Sequence, residues 1–133
     1  MKLFILLVVW AVSVESQQGD AMVEARKLIN KLEAFLQSRD ETTVSEFLSS
    51  EFKLFSCTEG YHWTRDKLMD MLDMLPITEP VTIDVKRATI SGSSLSFDIS
   101  ATAMEYTVNH RFTAQQMNGK YVITAGYVTD CPR

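Results

Sequence analysis

The sequence predicts an α+β fold in which three N-terminal helices cover one face of an antiparallel sheet. Three observations carry this. Before Pro76 the apolar residues recur mainly at helical spacing, in three stretches. From Val81 onward they alternate with polar residues at period two. Asn118-Gly119 then sits between two of the alternating runs, and both residues tolerate the positive φ that a type I′ hairpin turn requires.

The elements follow in order. Met1-Lys2 is a short positive start, and Leu3 to Val12 is an unbroken apolar run. That run is about ten residues, half of the roughly 20 needed to cross a bilayer as a helix. Val14 and Ser16 suit the −3 and −1 positions of a cleavage site, so residues 1–16 are expected to be a secretory signal peptide. Cutting after Ser13, with Ala11 at −3, is the alternative. Residues 17–133 are then one domain, secreted into the extracellular space and free of the membrane once the leader is cut.

From Asp20 to Ser38, Ala21, Ala25, Leu28, Ile29, Leu32, Phe35 and Leu36 form the apolar side of a helix, with Asp20 as its cap. A short second helix, capped by Asp40 or Thr42, puts Val44, Phe47 and Leu48 on one face. Glu51 to Cys57 alternates as a strand, and Thr58 to Trp63 is a loop containing Gly60. Thr64 caps a third helix that runs to Leu75, with Leu68, Met71, Leu72 and Leu75 inward, and Pro76 closes it. Met69, Met71 and Met74 read either as a pliable pocket wall or as core filling and partial exposure.

The rest is a four-stranded meander, and its turns set a register. A three-residue loop at 91–93 pairs Ile90 with Ser94, Val85 with Ile99, Ile83 with Ala101 and, on the outside, Lys86 with Asp98. A two-residue loop at Gly92-Ser93 would put Lys86 opposite Ile99, so the longer loop is preferred. The Asn118-Gly119 turn sets Met117 opposite Lys120, Phe112 opposite Ala125 and His110 opposite Tyr127. The turn near Met104-Glu105 has no Gly, Asn or Pro to fix its limits.

Composition excludes several classes. Apolar residues make up 46% of the 133 and charged residues 23%, as in a globular domain. A net charge of −4 with no basic stripe argues against nucleic acid as a partner. Cys57 and Cys131 are the two cysteines, an even pair that suggests one disulfide in a secreted chain. No close-spaced Cys or His ligand pair points to a metal, and no Asn-x-Ser/Thr acceptor occurs. Nucleophile-elbow, phosphate-loop and dinucleotide motifs are absent, so no cofactor is expected.

The order helix, helix, "EFKLFSC" strand, aromatic "EGYHWTRDKLMDML" loop and helix, then a sheet ending in an Asn-Gly hairpin resembles the nuclear transport factor 2-like (SnoaL-like) superfamily. It covers roughly residues 20 to 129 and is closest to small secreted members without assigned activity. The resemblance implies a strongly curved, cone-like sheet of the cystatin-like class, with a pocket at the open end. It also implies that enzymes of this shape use an interior Asp or Glu, raised in pKa by burial, as acid or base.

The register puts Asp84 and Asp98 outside and no carboxylate inside. His110 and Tyr127 are then the polar members of an interior otherwise lined by Phe97, Ile99 and Phe112, with Tyr61 and Trp63 at the mouth beside His62. A plugged core end is the competing reading of that aromatic cluster, and a core histidine bonded to Tyr127 or a backbone carbonyl is the competing reading of His110. The expected function is a secreted, non-enzymatic binding or interaction module of unknown ligand, taking a small apolar molecule in a pocket inside the cone or another protein. The alternative is a SnoaL-like dehydratase or isomerase using His110 with Tyr127. The outer sheet face, which carries Thr107, Asn109, Arg111, Thr113 and Gln115 beside Val122, Thr124 and Val128, reads either as a homodimer interface, as members of the superfamily use it, or as a solvated face.

Overall fold

The computed structural model describes residues 2–57, 61–74 and 80–131, with side chains from residue 19 onward. Gly60, Leu75 and Pro76, and the side chains of residues 1–16, where a leader and its cleavage site are expected, lie outside the described residues. Helix α1 spans Lys2–Ser38. Ala21, Ala25, Leu28, Ile29 and Phe35 are its buried positions, at the three- and four-residue spacing the sequence shows. Arg39 ends it in the left-handed region at φ 56°, and its amide donates to Phe35 O at 2.7 Å.

The predicted second helix is a 3₁₀ turn, Glu41–Glu46. The Asp40 carboxylate caps it by accepting from the Thr42 amide at 3.1 Å and the Thr42 hydroxyl at 2.6 Å. Val44, Phe47 and Leu48 are all buried as expected, but Leu48 already opens β1, Leu48–Phe55. The aromatic segment expected as loop up to Trp63 ends in a short strand instead: β2, His62–Thr64, pairs with the end of β1. Helix α2 follows as Arg65–Met74, with the Thr64 hydroxyl accepting from the Lys67 amide at 3.3 Å. Met69 faces the core, while Met71 and Met74 are exposed. The Arg39 guanidinium donates to Leu72 O and ties α2 to the end of α1.

Strands β3 (Val81–Ser91), β4 (Ser94–Ala103), β5 (Tyr106–Met117) and β6 (Lys120–Val128) form the predicted meander. The sheet is larger than expected. Its order is β2-β1-β6-β5-β4-β3, because β1 joins β6 in parallel and brings β2 with it. The curved sheet wraps α1, which packs chiefly against β3.

Two bulges correct the expected register. The first turn is the two-residue Gly92-Ser93 loop, so Ile90 pairs with Leu95 and Arg87, not Lys86, faces Asp98. Val85–Ile99 and Ile83–Ala101 pair as predicted all the same, since Lys86 is an extra residue between them. Across the Asn118-Gly119 hairpin Met117 faces Lys120, as expected, but Thr124 is inserted between Ala114–Ile123 and Thr113–Ala125. Beyond it Phe112 faces Gly126 rather than Ala125, and His110 faces Val128 rather than Tyr127.

Candidate functional site

The inner face of the sheet is built by three strands in register. β4 supplies Leu95, Phe97 and Ile99, β5 supplies His110, Phe112 and Ala114, and β6 supplies Ile123 and Gly126. Period-two alternation places them there, and burial of the apolar set at about 25 cal/mol per Å² holds them. The Phe97 and Phe112 rings lie 5.7 Å apart, and Phe52 from β1 adds a third ring 6.3 Å from Phe112. Gly126 lies under Phe112, and a Cβ there would overlap its ring. The three rings therefore meet where β6 has no side chain.

His110 continues this stack. Its ring is parallel to Phe112 within 10° at 5.7 Å, and Ile99 and Val128 are its cross-strand neighbours. Burial pushes the imidazole pKa below its ordinary value, and the Asp130 carboxylate and a backbone hydrogen bond at Val108 offset this only in part. The ring is thus neutral near pH 7, with one donor and one acceptor nitrogen. Its Nδ1 is buried and has no hydrogen-bond partner among the described residues. A buried nitrogen left unsatisfied costs roughly 1–3 kcal/mol. A polar atom of a ligand would recover that.

Of the expected pocket residues, the structure brings His110, Phe97, Ile99 and Phe112 together. Tyr127 is not with them. The Thr124 bulge turns it to the outer face opposite Arg111, where it is 44% exposed and its hydroxyl accepts from Arg111 Nη1 at 3.2 Å. The His110–Tyr127 pair is therefore not formed. Tyr61 and Trp63 form their own edge-to-face pair at 5.7 Å, with Lys67 over the Tyr61 ring, and no described ring contact joins them to the His110 stack.

The outer face carries a cluster the sequence reading did not assemble. Arg111 donates to Asp98 through Nε at 2.6 Å and Nη2 at 3.1 Å, and Arg87 Nε reaches the same carboxylate at 3.4 Å. Hydrogen bonding to Arg111 above all holds the Asp98 carboxyl below the usual carboxylate range. The signal for Arg87 was in the chain. Both the Gly92-Ser93 turn and the Val85–Ile99 pair are satisfied only if one residue between them is extra. Nothing comparable marks Thr124.

The 3₁₀ turn and α2 line a separate concavity of about 330 Å³ with Glu41, Asp66 and Asp70. A hydrogen bond to Asp73, and repulsion from it and from Asp70 and Asp66, raises the Glu41 carboxyl above its ordinary value.

Comparison with known proteins matches this geometry. The NTF2-like domain family model fits residues 22–133. An NTF2-like protein of unknown function from Silicibacter pomeroyi superposes with a TM-score of 0.70 at 10% identity, over 84% of this chain and 96% of that one. Another from Shewanella baltica gives 0.68 at 18% identity, over 89% and 97%. A protein provisionally assigned as a ketosteroid isomerase, from Kribbella flavida, gives 0.54 at 13% identity, over 83% and 81%. At these identities the likeness is one of fold. No curated protein sequence matches the chain.

Proposed function

The chain belongs to the NTF2-like domain family, and on that premise we propose that it is a secreted, non-enzymatic module whose interior takes up a small apolar ligand. One observation carries the reading: among the described residues, no polar or charged side chain is fully buried, and the inner face has only the half-buried His110. Proton abstraction of the isomerase or dehydratase kind uses a carboxylate or histidine held at the reacting carbon, with a pKa near the working pH. Asp98 faces outward and is bound to two arginines. His110, pushed toward the neutral form, has Asp130 only as a nearby charge, with no carboxylate hydrogen bond among the described residues, and Tyr127 is turned away from it. What remains suits binding: an aromatic and aliphatic wall of Phe97, Ile99 and Phe112, with the His110 Nδ1 as a single polar anchor.

The leader of residues 1–16 supports secretion, and the Cys57–Cys131 disulfide is compatible with an extracellular site. Native mass spectrometry of the protein collected from the medium of expressing cells tests the reading. A retained small molecule, lost from His110→Leu, is the expected result. Protein that leaves the cell empty, and from which organic solvent extracts nothing, counts against it. A second copy of the chain, docked on the outer sheet face, is the partner this reading includes. Light scattering that finds a strict monomer at high micromolar concentration removes it.

A further inference from the structure

Both bulges aim at one place. The extra Lys86 in β3 leaves Lys86 and Arg87 exposed side by side, and the buried alternation resumes only at Ala88. The extra Thr124 in β6 turns Tyr127 outward against Arg111. Bulges commonly re-aim side chains beside functional sites. Here two of them, in strands that flank β4 and β5 on opposite sides, deliver a lysine, an arginine and a tyrosine to the Asp98–Arg111 pair. The result is a concavity of about 340 Å³ whose rim includes Lys86, Arg87, Asp98, Asn109, Arg111 and Thr129.

Lys86, Arg87 and Arg111 thus line one concavity with Asp98 as the carboxylate among its lining residues, in a protein of net charge −4. Asp98 is occupied by Arg111 and Arg87, and it holds both guanidinium groups in place. Arg87 approaches it through Nε at 3.4 Å, and its side chain is 74% exposed. Lys86 has neither an ion pair nor a hydrogen bond among the described residues. Asp130, the other nearby carboxylate, is engaged by the Asn109 amide at 3.3 Å and Asn109 Nδ2 at 3.2 Å. Guanidinium forks match planar or tetrahedral oxyanions, and charge-assisted bonds to them are about twice as strong as neutral ones.

We infer that this outer-face concavity is a binding site for a small oxyanion, the carboxylate or sulfate group of a small molecule, held by Lys86, Arg87 and Arg111. Its charged donors differ from the polar anchor of the proposed interior ligand, although Ile99 and His110 also border this concavity.

The test is an NMR titration of the whole secreted chain with sodium sulfate and, separately, sodium benzoate. Sodium chloride of matched ionic strength is the control, at a concentration where light scattering shows monomer. Saturable shifts of the Arg87 and Arg111 Nε–H and Tyr127 ring signals are expected with both oxyanions and not with chloride. Lys86→Gln/Arg87→Gln should weaken the affinity about tenfold or more, near 1.4 kcal/mol, while Lys120→Gln leaves it unchanged. Lys86→Gln alone, which keeps every contact of Asp98, should give an intermediate loss. Shifts no larger than those with chloride, or equal affinity in the Lys86→Gln variant, overturn the site.

Discussion

Gly126 shows how far one residue decides the interior. The Phe112 ring occupies the space a side chain would need there, and Leu54 Cδ1 lies 3.3 Å from the position of a Cβ on the other side. Phe112 is 8% exposed and stacked between Phe97, Phe52 and His110, so it has little room to withdraw. Gly126→Ala should therefore destabilise the fold by about 1–3 kcal/mol, the range for overpacked cores. Urea denaturation reads this as a lower midpoint at unchanged slope. His110 makes a second prediction. Its folded pKa lies below its unfolded value, so the unfolded chain binds the extra proton first as pH falls. Its contribution is complete above about pH 6.5, the unfolded value, and is lost as pH drops through the folded one. Thermal melts from pH 7.5 to 5 should show a decline that His110→Leu flattens, and an equal decline in that variant refutes the assignment. Residues on the inner face up to each bulge were legible, because strict alternation assigns Phe97, Ile99, His110 and Phe112 without reference to any partner strand. Tyr127 was not legible. A single inserted residue reverses the face of everything beyond it, and Thr124 carries no local mark of being that residue.

At the scale of elements, the least expected feature is the parallel pairing of β1 with β6. Sequence patterning identifies a strand at Phe52 to Phe55, but pairing between strands far apart in the chain leaves no turn signal from which to read it. The cysteines were the indirect trace. Parallel strands finish at the same edge of a sheet, so Phe55 faces Tyr127 and the chain ends just beyond bring Cys57 and Cys131 to a Cα separation of 5.3 Å. The bridge closes 74 residues of sequence, enclosing β2 to β6 and all of α2. In the chain-entropy account a loop of that length contributes about 4 kcal/mol by restricting the unfolded chain. Cys57→Ser/Cys131→Ser should lose most of that in urea denaturation. The unreduced, unfolded native protein should show no free thiol on labelling, and two labelled thiols would remove the bridge.

For the whole molecule, the question is which part of α1 belongs to the fold. The described core positions of this helix begin at Ala21 and continue through Ala25, Leu28, Ile29 and Phe35. The family match likewise begins at residue 22. Leu3 to Val12 is more apolar than a solvated helix needs, and it has the length of a leader's apolar region rather than of a membrane span. These facts agree if residues 1–16 direct export and contribute nothing to the core. A chain of residues 17–133 should then unfold in urea with the midpoint of the full chain or a higher one, because an apolar run that is no part of the core would only promote self-association. Edman sequencing of the protein taken from the medium should begin at Gln17, or at Val14 if the cut follows Ser13. If residues 17–133 instead unfold well below the full chain, or the secreted protein retains Met1, the apolar run is an integral helix of the domain.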